Sequence, residues 1–216
     1  MVEKSIVTVL LFAFLSCNLS AGKKVENKKY TQNIKSMNQF ELATFGNGCF
    51  WCTEAIFEQL EGVKKVESGY AGGEIKNPTY KEVCTGTTGH AEVIRLTFDP
   101  KVISYRELLD VFFDTHDPTT LNRQGGDVGT QYRSVIFYHN EDQKTVANKM
   151  IADLENENVF EDKIVTEVTG INNYYVAENY HHDYFNNNKS QGYCRVVINP
   201  KLEKFVKKYK SKLKKE

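Results

Sequence analysis

Apolar positions along this chain alternate singly in some stretches and recur three and four apart in others, and the change of period marks out its elements. Residues 40–45 (FELATF) alternate as a strand and run into Gly46-Asn47-Gly48, a turn signal. Ile56, Phe57 and Leu60 then fall at helical spacing, which predicts a helix over residues 50–60 stopped by Gly62. Residues 63–70 read as a second strand, 69–79 as a Gly/Pro/Asn loop, and 91–98 as a third strand closed by Pro100. Ser104-Tyr-Arg-Glu107 is a capping box that opens a helix through Leu108, Leu109, Phe112 and Phe113. That helix must finish before Pro118. A polar loop over 117–131 leads to a short apolar strand at 134–138. Asn140 then starts a helix carrying Val146, Met150, Ile151 and Leu154. Residues 163–168 are expected as a strand and the aromatic stretch 177–185 as a helix. The order β-α-β-β-α-β-α-β-α predicts an α+β fold, a ferredoxin-like split β-α-β two-layer sandwich with an extended C-terminal region.

The N-terminal segment has another character. Residues 6–15 (IVTVLLFAFL) form a ten-residue apolar core behind Lys4, too short to cross a bilayer as a mature helix, and read as a secretory signal. Ser16-Cys17 directly after it resembles the lipobox of bacterial lipoproteins, which implies cleavage before Cys17 and lipidation of its thiol. We therefore expect a signal peptide over 1–16, with plain cleavage near Ala21 as the alternative, a polar Lys/Asn-rich tether over 17–38, one folded domain over 39–206 and a Lys-rich tail over 207–216. The expected location is the bacterial cell envelope or periplasm, with a membrane tether through Cys17.

Charge adds a contrast. The 28 Lys and Arg balance 28 Asp and Glu, yet residues 1–30 carry a net +3 and 201–216 a net +6, leaving nine negative charges between them. An acidic body is no general nucleic-acid binder.

Five cysteines stand at 17, 49, 52, 84 and 194. Cys49 and Cys52 form a C-x-x-C, but no second pair of Cys or His has the spacing that a zinc site needs, so a metal is not expected. Cys49 falls where a strand feeds a helix N-terminus, and the unpaired N–H groups and positive dipole end there favour thiolate over thiol. Phe50 and Trp51, the chain's only Trp, follow it and suggest an apolar cup for a small methyl-like group. Period 2 puts Glu92 on the face of Ile94, Leu96 and Phe98, where desolvation raises its pKa and suits it to general acid work. Tyr80 and Tyr132 each follow a loop of turn formers, where a phenol can enter a cleft. Asp127 could orient such groups, although an Asp in a turn most often caps its own backbone. Cys194, after Asn186-Asn-Asn188, reads as a flexible thiol able to swing to a sulfenic acid. Cys84 reads as a buried spectator and His90 as a surface or loop residue.

Taken together, GNGCFWCTEAIF, GYAGG, NPTYKEVCTGTTGHAEV, HDPTTLNRQGGDVGTQYRS and GYC, in this order over residues 41–205, resemble the A-type peptide methionine sulfoxide reductases. The resemblance implies that Cys49 attacks the sulfur of the S epimer of methionine sulfoxide, peptide-bound or free, while Phe50 and Trp51 hold its methyl group. It implies that Glu92 protonates the oxygen with help from Tyr80 and Tyr132, and that Asp127 lies in the pocket network. Cys49 would become a sulfenic acid, and Cys194 or Cys52 would resolve it to a disulfide that a thioredoxin-like reductant reopens. No metal or organic cofactor and no nucleic acid are implied; oxidised proteins are the partners, and a monomer is expected. The motif reads G-C-F-W-C where G-C-F-W-G is commoner, and His182 stands where the family usually has Gln. Two rivals remain at this point: a thiol-disulfide oxidoreductase or peroxidase using Cys49 and Cys52, and a peptide-binding envelope lipoprotein without catalysis.

Overall fold

The structure, a computed structural model, describes residues 39–215. The signal peptide, Cys17 and the tether expected over 1–38 lie outside the described residues.

Among the described residues eight strands and six α-helices follow one another, with short 3-10 and π turns between them. The strands are β1 (Glu41–Asn47), β2 (Val63–Ala71), β3 (Ala91–Phe98), β4 (Arg123–Gln124), β5 (Asp127–Val128), β6 (Ser134–Tyr138), β7 (Glu167–Gly170) and β8 (Tyr174–Val176). The helices are α1 (Phe50–Phe57), α2 (Tyr80–Val83), α3 (Tyr105–Asp114), α4 (Glu141–Asn156), α5 (Tyr184–Asn187) and α6 (Asn199–Lys208). Six strands form a mixed sheet in the order β7-β6-β1-β3-β2-β8, antiparallel except for the pair β6 and β7. The architecture is mixed α+β. β4 and β5 make a separate two-stranded ribbon within the loop before β6.

Local signals set most boundaries. β3 spans the predicted 91–98, and its alternation sends Ile94, Leu96 and Phe98 into the main core while Ala91 and Val93 join Val135 and Phe137 on the opposite face. Ser104 and Glu107 close the capping box on α3 through bonds of 3.2 and 2.9 Å. Asn140 accepts the Gln143 N–H at 2.9 Å at the start of α4. Phe45 from β1 sits fully buried between Phe57 of α1 and Phe112 of α3, with ring centroids 5.8 and 5.3 Å away. The helices α1, α3 and α4 therefore share one apolar layer with the sheet.

Two expected elements differ. The strand expected at 163–168 joins the β6 ladder only from Glu167, because Val165 donates instead to the Pro118 carbonyl and Thr166 bonds Ser134. The continuous helix expected over 177–185 is broken into a 3-10 turn (Asn179–His181) and α5, with Asp183 between them in the left-handed region at φ 51°. Aromatic packing onto α1 outcompetes helical spacing there. The Lys-rich end is tied to the domain: Leu213 bridges Leu60, Glu61 donates to the Lys212 carbonyl, and Lys212 and Lys208 pair with Glu107 and Asp114 of α3.

Candidate active site

β1 is followed by Gly48, whose φ of +97° is open to glycine and strained for other residues, and a Cβ there would stand 2.6 Å from the Gln124 side chain. This turn delivers Cys49 to the N-cap of α1. Cys49 does not cap the helix with its own side chain. The first N–H of α1 is instead taken by a residue from the sheet: Phe50 donates to Glu92 Oε2 at 3.1 Å. The carboxyl of β3 is thereby fixed beside the residue that follows Cys49, on the same side of the molecule as the thiol.

Glu92 is 1% exposed, and burial pushes its carboxyl up to about 8, against the Phe50 N–H and with help from the Asp127 and Cys52 charges. At pH 7 it is mostly protonated and holds a proton to give. Tyr80 and Tyr132 face the same carboxyl. Both phenols are raised by burial and by the Glu92 charge, so they remain O–H donors throughout the physiological range.

The thiol corrects an expectation. The helix N-terminus predicts a Cys49 held as thiolate, but the residue is buried, and desolvation, the hydrogen bond with Cys52 and the Glu92 and Cys52 charges raise its pKa well above the ordinary value. Partial charges at the mouth of an eight-residue helix do not offset loss of water plus nearby acids. Cys52 is displaced downward, chiefly because the Cys49 thiol donates to it, and Lys201 adds to this. Of the two thiols, Cys52 is therefore the easier to ionise.

Cys194 corrects another. It is not a thiol on a flexible loop: it is fully buried at the start of a π turn (Cys194–Ile198) and packs with Cys49, Cys52, Ala55 and Ile198. The three thiols therefore share one apolar cluster, and among the described residues all cysteines are free. Cys84 is exposed rather than buried, beside the Tyr80 hydroxyl. His90 lies in the loop before β3, as one of its two readings had it, but buried rather than on the surface; it accepts the Gly73 N–H at 3.0 Å and bonds the Ile75 carbonyl, pinning the loop that leads to Tyr80.

Phe50 and Trp51 form two walls of an aromatic enclosure, with ring centroids 6.1 Å apart. Residues missed by the sequence reading complete it. His181, fully buried, accepts the Trp51 indole N–H at 3.0 Å and packs its ring 4.9 Å from Phe50 and 4.5 Å from Tyr80. Burial lowers its pKa to about 4, so it is the neutral acceptor that the indole needs. Glu178 gathers the Tyr70 hydroxyl and the Tyr80 N–H, each at 2.8 Å. Tyr193 donates to Asp127 Oδ2 at 2.8 Å and lies 3.9 Å from Cys52 Sγ, which joins Asp127 to the thiol cluster. The GYC motif carried a signal for Tyr193; nothing local marked His181 or Glu178.

Cys49, Phe50, Trp51, Glu92, Tyr80, Tyr132, Asp127, Cys52 and Cys194 are thus brought to one end of the domain around α1. Such an arrangement can present a sulfur nucleophile, a neutral acid and two phenols to a small group with an apolar end. Residues 41–214 match the family model described as peptide methionine sulfoxide reductase. The chain is 55% identical to a peptide methionine sulfoxide reductase MsrA of Saccharolobus solfataricus over 81% of its own length and 97% of that relative's. It is 56% identical to the MsrA of Deinococcus radiodurans over 80% and 84% of the two chains. Among solved structures, Mxr1 of Saccharomyces cerevisiae in reduced form aligns with a TM-score of 0.67 and 38% identity, covering 73% of this chain and 90% of that one. Methionine sulfoxide reductase A of Corynebacterium diphtheriae aligns with 0.62 and 33%, covering 70% and 76%. With both its sequence and its fold shared across these relatives, the chain belongs to the peptide methionine sulfoxide reductase family, in its MsrA branch.

Proposed function

We propose that the protein reduces the S epimer of methionine sulfoxide, in oxidised proteins and as the free amino acid, and so repairs oxidised proteins. The observation that carries this is the Glu92 carboxyl, protonated at neutral pH and bonded to the backbone N–H next to Cys49. The substrate methyl sits between Phe50 and Trp51, and the sulfoxide oxygen points to Glu92, Tyr80 and Tyr132. As Cys49 loses its proton and attacks sulfur, Glu92 protonates the oxygen. While Glu92 is neutral it exerts no repulsion on the thiolate, so acid and nucleophile support each other below about pH 8. The S–S adduct then collapses: the hydroxyl passes to the Cys49 sulfur as the substrate S–O bond and the new S–S bond break, leaving Cys49 as sulfenic acid and releasing methionine, while the proton lost by Cys49 restores Glu92.

Cys52 then condenses with the sulfenic acid, forming a disulfide and releasing water. Its support is the place of Cys52 beside Cys49 in one buried cluster and the downward displacement of its pKa. Cys194, in the same cluster, is placed to take over the disulfide by exchange. A thioredoxin-like dithiol reductant outside the chain restores the thiols, and no metal or organic cofactor takes part. The protein works as a monomer, exported to the bacterial envelope and anchored through a lipidated Cys17. We read the sandwich as ferredoxin-like and split β-α-β; its support is the antiparallel order β6-β1-β3-β2, with α1 joining β1 to β2 across β3.

The Cys49→Ser variant tests the reading. It should fold and lose turnover of the S sulfoxide, whereas appreciable residual turnover would remove Cys49 as nucleophile.

A further inference from the structure

The steps above give the buried acid Glu54 no task. Glu54 is 2% exposed and lies three residues after Trp51 on α1, hence near the same helix face. Its Oε2 accepts the Tyr184 N–H at 3.4 Å, the Asp183 N–H also reaches the carboxyl, and Oε1 stands 3.9 Å from His182 Nδ1. The other ring nitrogen, Nε2, faces the Ala177 carbonyl at 3.1 Å and so carries a hydrogen. Nδ1 is then the ring nitrogen turned to Glu54, across 3.9 Å, too long for a direct hydrogen bond but close enough for each group to act on the other's charge. Asp183, at φ 51°, turns the chain so that the Tyr184 ring lies on the Trp51 indole, with centroids 3.7 Å apart and planes 6° from parallel.

We propose that Glu54, paired with His182, is a positioning residue of the reductase: it seats the 183–184 backbone, holds Tyr184 flat on Trp51, and thereby fixes the indole as a wall of the methyl pocket. The proposal rests on the reading of Trp51 as that wall. Burial pushes the Glu54 carboxyl up to about 7, and the charges of Glu58 on α1 and Asp183 on the facing segment add to this against the two N–H bonds. The Tyr174 phenol also feels its charge, and among the described residues no Lys or Arg pairs with Glu54. Because the seated state favours the neutral carboxyl, ionisation loosens the seat. The stack therefore weakens as the pH rises through about 7.

Trp51 is the chain's only Trp, so its fluorescence reports the stack directly, apart from turnover. Wild-type emission should titrate with a component near pH 7, and KM for dabsyl-methionine (S)-sulfoxide should rise through the same window. E54Q keeps an acceptor for the Tyr184 N–H and cannot ionise, so it should lose that component and keep the low KM at pH 8. E54A should raise KM roughly fivefold, the size of one lost hydrogen bond, with a smaller change in kcat. H182Q, altered at a partly exposed position, should move the emission midpoint. An E54Q titration that matches wild type, or an H182Q midpoint that stays put, overturns the proposal. Wild-type protein that does not turn over the sulfoxide while its emission behaves as described would instead defeat the functional reading and leave the positioning of Trp51 by Glu54 standing.

Discussion

Replacing Glu92 by Gln should make the protein slower and, at neutral pH, more stable. The carboxyl is 1% exposed, and its pKa rises from 4.5 to about 8 on folding. Between those values the folded chain binds a proton that the unfolded chain has released, so stability falls as pH rises through this window and is fully retained below it. Keeping Glu92 neutral costs the folded state about 3 kcal/mol at pH 7 and under about 1 kcal/mol at pH 5. Gln ionises in neither state, so the stability of E92Q relative to wild type should grow by about 2 to 3 kcal/mol from pH 5 to pH 7. In a domain of this size that is a further gain of about 5 to 10 °C in relative melting temperature. Turnover should fall roughly 10²- to 10⁴-fold, the usual contribution of a positioned acid. Thermal and urea melts of both proteins at pH 5, 6, 7 and 8, paired with sulfoxide turnover, measure each part. A difference in stability that stays flat over this range would refute the buried neutral carboxyl, and an unchanged rate would remove its role as acid.

Mass mapping of the disulfide after one turnover without reductant should find Cys49 joined to Cys52, with C52S slowing disulfide formation more than C194S. A Cys49–Cys194 bond as the first product would transfer the resolving role to Cys194. In the core, Phe45→Ala should cost about 3 to 5 kcal/mol in urea unfolding, because its ring fills the space between Phe57 and Phe112; a loss under about 1 kcal/mol would mean that the cavity collapses freely.

Sequence by itself determined what depends on near neighbours. The alternation of 91–98 fixed both the strand and the inward face of Glu92, and Ser104 and Asn140 marked helix starts through bonds to residues three positions on. The motif residues around Cys49 pointed to sulfur chemistry for the same local reason, since a strand, a glycine turn and a helix start are written in consecutive positions. Tertiary structure decided whatever depends on distant partners. The helical spacing of 177–185 yielded to contacts of His181 and Tyr184 with Trp51, about 130 residues away in the chain. α6 stayed hidden among lysines because its apolar stripe has meaning only against the core that receives Phe205. The protonation of Cys49 was decided in the same way: the helix mouth is local, but the water it lost, the acid facing it and the second sulfur were all supplied by the fold, and desolvation outweighs a helix dipole.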